Sequence, residues 1–162
     1  MAQALLLKAE TVKEAAIRAA EMLSGMGYHG KYGSVHLLNL NLQRNTVTAI
    51  FHNMLAWQIS QLDPRWAFHP KGGRVPDLTA GDNGIQVKAT SNERIKGNKV
   101  SPNEGYYIAV KYSRLPEKGI MAIQVREILM GRLTANDWER REGTQWAFLK
   151  PQAEARMKRI YP

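Results

Sequence analysis

An aspartate, a glutamine and a lysine stand where a short β-hairpin would bring their side chains to one face. Alternating runs within residues 75–90 flank the tetrapeptide Gly-Asp-Asn-Gly, which is a strong hairpin signal. With the turn centred on that tetrapeptide, Asp77 is expected opposite Lys88, and Gln86 becomes its diagonal neighbour. Opposed side chains of a hairpin lie ~5 Å apart on the same face, so a carboxylate, an amide and an ammonium converge on one patch.

This grouping suits the hydrolysis of phosphodiester bonds with a hard divalent cation. Mg²⁺ prefers oxygen ligands and keeps several waters. The side chains of Asp77 and Gln86 and the backbone carbonyl of Val87 could supply such ligands, and Mn²⁺ is expected to substitute for Mg²⁺. Lys88 is expected to orient or deprotonate the attacking water, or to hold the scissile phosphate. On spacing alone, the same residues also fit a solvated surface hairpin in which Lys88 pairs with Asp77.

The two runs also resemble the signature of a known enzyme superfamily. Pro76-Asp77 followed by Gln86-Val87-Lys88-Ala89-Thr90 is similar to the PD-(D/E)xK motif of nucleases, in which a Pro-Asp strand leads through a short turn into a Glu-x-Lys strand. The resemblance is nearest to the small type II restriction endonucleases. It implies that Asp77, Gln86 and Lys88 are the catalytic residues, with Asp77 and Gln86 in the metal-binding positions and Lys88 in the position of the catalytic lysine.

Gln86 departs from the motif, because most members of the superfamily have a carboxylate at that position. The amide leaves the site one negative charge short and removes a bidentate ligand. We therefore expect weaker metal binding, or an acid brought in from elsewhere in the fold. The candidate acids are Glu10, Glu14 and Glu21 of the first predicted helix. His52, on the second predicted helix, would also approach the site in the superfamily's arrangement.

The charge of the chain favours a polyanionic partner. Its 162 residues include 23 Lys and Arg against 14 Asp and Glu, which gives a formal net charge of +9. Nucleic acid is the first candidate for such a partner, although many basic proteins use their charge for solubility alone. An anionic membrane surface lacks the basic amphipathic segment that would support it. The absence of cysteine excludes disulfides and thiolate chemistry.

Nothing in the chain predicts a membrane segment. No apolar run approaches the ~20 residues of a membrane span, and the N-terminal residues include Glu10 and Glu14 in place of an apolar signal core. We therefore expect a cytoplasmic protein without membrane association. The length fits a single nuclease domain over residues 1–162, in which the N-terminal helical part, about residues 1–45, contributes to dimerisation or to DNA contact.

A polar segment directly follows the predicted catalytic strand, where a substrate would have to be held. Arginine, lysine and asparagine read base edges, and lysine and serine also contact phosphates. The expected DNA-binding residues are Asn92, Arg94, Lys96, Asn98, Lys99, Ser101 and Asn103. A second basic group would contact the DNA backbone or form an exposed charged helix, and consists of Arg140, Arg141, Lys150, Arg156, Lys158 and Arg159. The glycine-rich segment 25–33 fits either a DNA contact or a flexible connection.

The remaining pattern predicts an α/β (α+β) fold with a central mixed β-sheet flanked by helices, which the resemblance implies to be restriction-endonuclease-like. Helices are predicted over residues 2–23 and 46–62, and from Pro151 to residue 160. Strands are predicted over residues 65–69, 75–80, 105–112 and 120–125, while residues 126–133 fit either a helix or a strand. Thr134 is a predicted N-cap.

Together these features predict a Mg²⁺-dependent DNA endonuclease, specifically a type II restriction enzyme that cuts double-stranded DNA at a defined sequence. A chain with a single such site needs a homodimer with a two-fold axis to cut both strands of a palindrome. Two alternatives stay open. One is a structure-specific nuclease that acts on junctions or in repair, and the other is a non-catalytic nucleic-acid-binding module in which Gln86 marks an inactive site.

Overall fold

The computed structural model describes residues 7–70, 75–98 and 104–162 of the chain. Its helices are α1 (Ala9–Gly25), α2 (Arg44–Leu62) and α3 (Pro151–Arg156), with 3₁₀ turns at Leu37–Leu40 and Ala135–Asp137. Its strands are β1 (Gly27–Gly30), β2 (Gly33–His36), β3 (Ala67–Phe68), β4 (Leu78–Ala80), β5 (Asn83–Thr90), β6 (Lys96–Asn98), β7 (Gly105–Glu117), β8 (Ile120–Leu133), β9 (Trp138–Arg140), β10 (Trp146–Leu149) and β11 (Lys158–Tyr161). None of the described helices is long and apolar enough to cross a membrane.

A six-stranded sheet with the order β11-β8-β7-β5-β4-β3 lies at the centre of the molecule. Strands β5 and β7 run parallel over residues 85–90 and 106–111, and the other neighbouring pairs of this sheet are antiparallel. A parallel pair needs a crossover connection, and this crossover carries β6 into a three-stranded sheet with the order β6-β10-β9. β1 and β2 form a separate hairpin. The predicted central mixed sheet with helices is therefore confirmed.

Both faces of the central sheet are covered, which explains the continuous apolar runs in its middle strands. One face packs on α1 and α2 through buried residues that include Val87 and Ile108. The opposite face packs on the three-stranded sheet, where Tyr107 and Ala109 share a buried cluster with Trp138. Successive residues of β7 thus alternate between the two cores, as the pleat of a strand requires.

Helices α1 and α2 form a layer because each presents a buried stripe at helical spacing. The buried residues of α1 are Val12, Ala15, Ala16, Ala19, Ala20 and Leu23, and those of α2 are Val47, Phe51, Leu55, Ala56, Gln58 and Ile59. Helix α2 ends at Leu62, just before Pro64, which cannot continue a helix. Helix α2 also packs on β5, whereas α1 packs on β8 and β11, so α2 is the helix that borders the β4–β5 hairpin.

The C-terminal segment differs from its prediction. Pro151 begins a helix as expected, but residues 158–161 pair with β8 as β11. The prediction of a helix through residue 160 is therefore wrong, because the backbone pairs with β8 and Ile160 and Tyr161 pack against the main hydrophobic cluster, which are tertiary contacts that local spacing does not encode. Residues 126–133, for which both conformations were open, belong to β8.

Two polar segments contain strands where the sequence predicts none. Strand β6 lies within the polar segment that follows β5, and β1 together with the start of β2 lies within the glycine-rich segment 25–33. Both segments lack the apolar alternation that marks a half-buried strand. Thr134 does begin a 3₁₀ turn as predicted, through a capping box with Asp137.

Candidate functional site

The hairpin that carries the predicted site residues forms through β4 and β5. Leu78 pairs with Ile85 and Ala80 with Asn83, so the loop consists of Gly81 and Asp82. Gly81 has a φ of +58°, which glycine adopts without steric cost and which a two-residue hairpin turn requires at its first position. The hairpin is therefore tighter than a four-residue loop would make it.

This pairing corrects the predicted register. Asp77 was expected opposite Lys88, but the observed pairing, continued by one position beyond β4, places Asp77 opposite Gln86 and diagonal to Lys88. The prediction was wrong because the turn forms one residue earlier than the centre of the Gly-Asp-Asn-Gly tetrapeptide. A turn that moves by one residue changes the pairing partner of each residue by two positions. Because strand side chains alternate, this shift by two keeps Asp77, Gln86 and Lys88 on one face.

Asp77 lies at the entry to β4 and is only 8% exposed. Its Oδ2 accepts a hydrogen bond from the backbone N–H of Val87 at 2.8 Å and lies 3.4 Å from Nε2 of His52. Burial raises the pKa of this carboxyl, but the contacts with His52, with the Val87 N–H and with Lys88 lower it by more. The net pKa lies below the ordinary value for aspartic acid, so the buried group is ionised at neutral pH.

Lys88 is half-buried on β5 and interacts electrostatically with Asp77. Burial lowers the pKa of the Lys88 ammonium, and the negative charge of Asp77 opposes this shift without cancelling it. Tyr107, on the adjacent strand β7, pairs with Gln86. Burial, and to a smaller extent the negative charge of Asp77, raises the pKa of the Tyr107 hydroxyl to about 12. The charge of the buried Asp77 carboxylate thus raises the pKa of an amine and of a phenol on two neighbouring strands.

Helix α2 contributes His52 to this group. The Nε2 atom of His52 faces Asp77, while its Nδ1 atom lies 3.0 Å from the side-chain oxygen of Asn53. The ring is therefore held by a neighbour on each side. His52 was expected to approach the site from the helix, and the structure places it against the carboxylate.

Oxygen donors for a hard cation lie along one edge of β5. The N–H and C=O groups of a strand residue point to the same edge, so the Val87 carbonyl faces the side on which its N–H meets Asp77. Strand β4 pairs with β5 only as far as Ile85, which leaves this edge unpaired by β4 at Val87. Gln86, half-buried on the same strand, adds an amide oxygen.

This donor set fits a weakly held cation. Among the residues that the structure describes, no three His, Asp or Glu side chains form a group that could hold a metal ion. The donors at the hairpin are the carboxylate of Asp77 with two neutral oxygens, from Gln86 and Val87. Such a set suits Mg²⁺, which is commonly bound through one or two carboxylates and completes its octahedral shell with water and substrate oxygens.

The acids predicted to complete the site do not reach it. Glu10, Glu14 and Glu21 are exposed on α1, and Glu14 is paired with Arg18. Helix α1 packs on α2, β8 and β11, and β7 separates those strands from β5 and β4 in the sheet order. That expectation is wrong because α1 lies over the strands at the other end of the sheet, away from the β4–β5 hairpin.

An open groove of about 360 Å³ is lined by Lys88 and His52 and extends to Trp146 of the second sheet. Its lining includes Arg44 and Lys96 as further basic residues and, among the described residues, contains no Asp or Glu. The Oγ atom of Ser91, another lining residue, is buried and has no hydrogen-bond partner within the described part of the chain. A groove with this lining offers positive charge to an anionic ligand.

The structure separates the predicted DNA-binding residues into three groups. Asn92 and Lys96 line the groove, and Asn92 accepts a 2.9 Å hydrogen bond from Arg44. Arg94 instead binds Glu139 at 2.9 Å and the carbonyl of Leu149 at 3.1 Å, which gives it a role within the protein. The backbone of Asn98 belongs to β6, whereas its side chain and the residues Lys99, Ser101 and Asn103 lie outside the described part of the structure.

Much of the C-terminal basic group is engaged within the protein. Arg156 forms an ion pair with Asp137, Arg159 one with Glu127, and Lys150 donates a hydrogen bond to the carbonyl of Asn136. These contacts tie β11 and α3 to the body of the fold. The interpretation of this group as a set of DNA backbone contacts is not supported by these pairings.

Sequence reasoning missed several residues of the groove, among them Arg44 and Trp146. Arg44 begins α2, and its place beside β5 depends on how that helix packs. Trp146 begins β10 and enters the groove because β10 pairs with β6. The only available signal was a large aromatic residue after a polar stretch, which by itself does not indicate a site.

Replacing Gly84 with alanine should disturb the hairpin near its turn. A Cβ atom at Gly84 would lie 2.5 Å from Cγ of Pro76, and the proline ring cannot rotate away. We expect Gly84→Ala to lower the free energy of unfolding by about 1–3 kcal/mol, as overpacking does, and to displace the neighbouring Asp77. Gly25→Ala is the matched control, since a Cβ there meets nothing within 4 Å. Equal stability of the two variants in urea unfolding would contradict this packing.

Comparison with known proteins assigns no family to this arrangement. No protein-family model matches the chain, and no curated protein matches it in sequence.

Proposed function

We propose that this protein is a Mg²⁺-dependent DNA endonuclease with its active site at the β4–β5 hairpin. The observation that carries the proposal is a buried, ionised Asp77 coupled to a half-buried Lys88 of lowered pKa, with Lys88 lining a basic groove. A lysine whose pKa is lowered towards neutrality suits proton transfer. A basic groove without acidic lining suits a phosphodiester backbone. The resemblance of the hairpin sequence to the PD-(D/E)xK motif supports the same assignment.

Each residue of the hairpin has a separate role in this proposal. Asp77 binds the cation through its carboxylate, together with the oxygens of Gln86 and Val87. When bound, Mg²⁺ supplies polarisation of the scissile phosphate and a lower pKa for the attacking water. Lys88 accepts the proton of that water, or holds the water against the phosphate when it is charged. The positive charge of Lys96 binds a neighbouring phosphate.

His52 acts as a positioning residue for the carboxylate. Its Nε2 atom lies 3.4 Å from Oδ2 of Asp77, the same oxygen that accepts the Val87 N–H. These two contacts fix the orientation of the carboxylate and leave the other oxygen, Oδ1, for the cation. His52 also lines the groove, so it is in contact with the carboxylate and borders the space for a substrate.

We further propose that the substrate is double-stranded DNA in the cytoplasm and that two copies of the chain act together, as in a type II restriction enzyme. The chain carries the Pro-Asp…Gln-x-Lys hairpin once, so a cut through both strands at one place requires a second copy. A structure-specific nuclease would use the same hairpin on a branched substrate. An inactive binding module would use the groove alone.

A cleavage assay with three substrates separates these proposals. The protein is incubated with plasmid DNA, a synthetic four-way junction and a linear duplex, each with Mg²⁺ and with EDTA. Discrete plasmid fragments that require Mg²⁺ indicate a sequence-specific endonuclease. Nicking confined to the junction indicates a structure-specific nuclease. Retardation of the DNA in a gel without cleavage on any substrate would contradict the enzymatic proposal and leave a binding module.

Replacing Gln86 with glutamate should strengthen the dependence on the cation. The carboxylate adds a negative charge and a bidentate option beside Asp77, and ligand charge is a main determinant of affinity for hard cations. We expect Gln86→Glu to reduce the Mg²⁺ concentration for half-maximal cleavage by about tenfold. Titration of cleavage rate against Mg²⁺ and Mn²⁺ for both proteins measures this. An unchanged metal response would remove Gln86 from the cation site.

A further inference from the structure

Trp146 is exposed where a tryptophan would ordinarily be covered. It is 43% exposed, whereas Trp66 and Trp138 are 2% and 4% exposed. Tryptophan carries a large apolar surface and is highly buried on average. Its ring lines the same groove as Lys88, so the exposed indole lies beside the proposed active site and not on an isolated part of the surface.

The lining of the groove around Trp146 is complementary to a nucleic-acid strand. Arg44, Lys88 and Lys96 provide positive charge without any acidic residue in the lining. The asparagine side chain of Asn92 adds donors and acceptors of the kind that contact sugars and base edges.

A larger cavity of the described structure has a different lining. That cavity measures about 500 Å³ and contains Glu93, Glu127 and Glu154 together with three basic residues. Two of these acids contact the buried Lys111, so the charges there are paired within the protein. The groove with Trp146 is therefore better suited to a polyanion than this larger cavity is.

We propose that this groove holds a nucleic-acid strand in which one base is unstacked and lies against the face of Trp146. The proposal deepens the nuclease function and rests on it: the substrate would be DNA in which one base next to the scissile phosphate leaves the stack, at an energetic cost that is larger in a perfect duplex than at an unpaired nucleotide. Base–aromatic stacking is a sequence-tolerant contact that requires an accessible base face. Neighbouring pairs cover both faces of each base inside an intact duplex, so a base must leave the stack to reach the ring.

Binding measured in EDTA tests the proposal without any cleavage. Three fluorescein-labelled oligonucleotides of one sequence are compared by anisotropy: a single strand, a perfect duplex and a duplex with one unpaired nucleotide. We expect the wild type to bind the first and third at least about tenfold more tightly than the perfect duplex. We expect Trp146→Ala to weaken binding to the single strand by about 5-fold or more, as loss of one stacked base does, and Trp146→Phe to retain most of the affinity.

Trp57 provides a matched control. It is 40% exposed on α2 and does not belong to the groove lining, so Trp57→Ala removes an exposed indole elsewhere. We expect this variant to bind every oligonucleotide as the wild type does. Thermal unfolding shows whether both alanine variants are folded. We expect both to be folded, because both tryptophan side chains are partly exposed.

The outcomes either support the proposal or overturn it. Equal affinity for the single strand and the perfect duplex, an unchanged affinity in Trp146→Ala, or an equal loss in Trp57→Ala would each overturn it. Equally tight binding of a poly-glutamate peptide would also overturn it, because the groove would then select charge alone. Cleavage is scored separately with Mg²⁺. Selective binding without cleavage keeps this inference and removes the nuclease function, whereas wild-type cleavage of perfect duplex by Trp146→Ala does the reverse.

Discussion

Replacing Lys88 with alanine should reduce the rate of DNA cleavage by at least about 100-fold, the usual contribution of a positioned acid–base group. DNA affinity should change little, because the other cations of the groove remain. Burial lowers the pKa of Lys88, and the nearby Asp77 charge limits that shift. These are the conditions under which a lysine can act on a water molecule. Single-turnover cleavage with DNA binding measured in parallel checks both parts.

Two further variants decide which property of Lys88 matters. Lys88→Arg keeps the charge but cannot donate or accept a proton near neutral pH, so it should bind DNA and cleave as slowly as the alanine variant. Lys96→Ala removes another cation that lines the groove, and it should weaken binding while leaving the rate at saturating DNA nearly unchanged. Wild-type cleavage by Lys88→Ala would exclude Lys88 from the chemistry.

The pH dependence should follow the same residue. If neutral Lys88 is the base, the cleavage rate of the wild type rises with pH as the amine loses its proton, and the midpoint lies below the ordinary pKa of lysine. The arginine variant should lack this rising limb.

Replacing Asp77 with asparagine should have the second large effect, a loss of cation-dependent cleavage by roughly 1,000-fold. The amide has nearly the same shape but lacks the charge that a hard cation requires. Higher Mg²⁺ or Mn²⁺ concentrations should not restore the rate. Cleavage measured across a metal titration tests this directly, and a rate that recovers fully at high metal concentration would show that the carboxylate contributes affinity but no essential ligand.

The matched control for Asp77 is Asp63, another aspartate that is 8% exposed. Asp63 pairs with Arg65 at 2.6 Å, away from the groove lining, so Asp63→Asn should affect stability and not the metal dependence of cleavage. The acid stability of the wild type and that of Asp77→Asn should also differ in a predictable way. The pKa of Asp77 is lowered in the fold, so its contribution to stability is present above the ordinary aspartate pKa and is lost as pH falls through the folded pKa. Asp77→Asn should remove that part of the acid transition.

The hairpin could be predicted from the sequence because its signal is local. The Gly-Asp-Asn-Gly tetrapeptide and the alternation on either side specify a turn between two strands. The exact pairing could not be read from that pattern, since Gly81 and Gly84 both permit a turn and the structure uses Gly81. This error in the pairing did not change the predicted face of Asp77, Gln86 and Lys88, because side chains alternate along a strand.

The rest of the site depends on contacts between residues far apart in the chain. His52 lies in a helix that the sequence predicts, but its approach to Asp77 follows from the packing of α2 on β5. Trp146 enters the groove because β10 pairs with β6. β6 is short and polar and β10 has only four residues, so neither is recognised from the sequence. Similarly, residues 158–161 form β11 and not a helix because their backbone pairs with β8 and Ile160 and Tyr161 pack against the core. Local propensity is overridden where tertiary contacts of this kind are strong.

A double-mutant cycle on cleavage decides whether Asp77 and Lys88 act as one cation-dependent unit. Single-turnover rates with Mg²⁺ are measured for the wild type, Asp77→Asn, Lys88→Ala and the double variant. We expect the double variant to be no slower than the slower single variant, because residues of one catalytic unit show strongly non-additive losses. Losses that multiply, or a double variant that still cleaves at the wild-type rate, would contradict it.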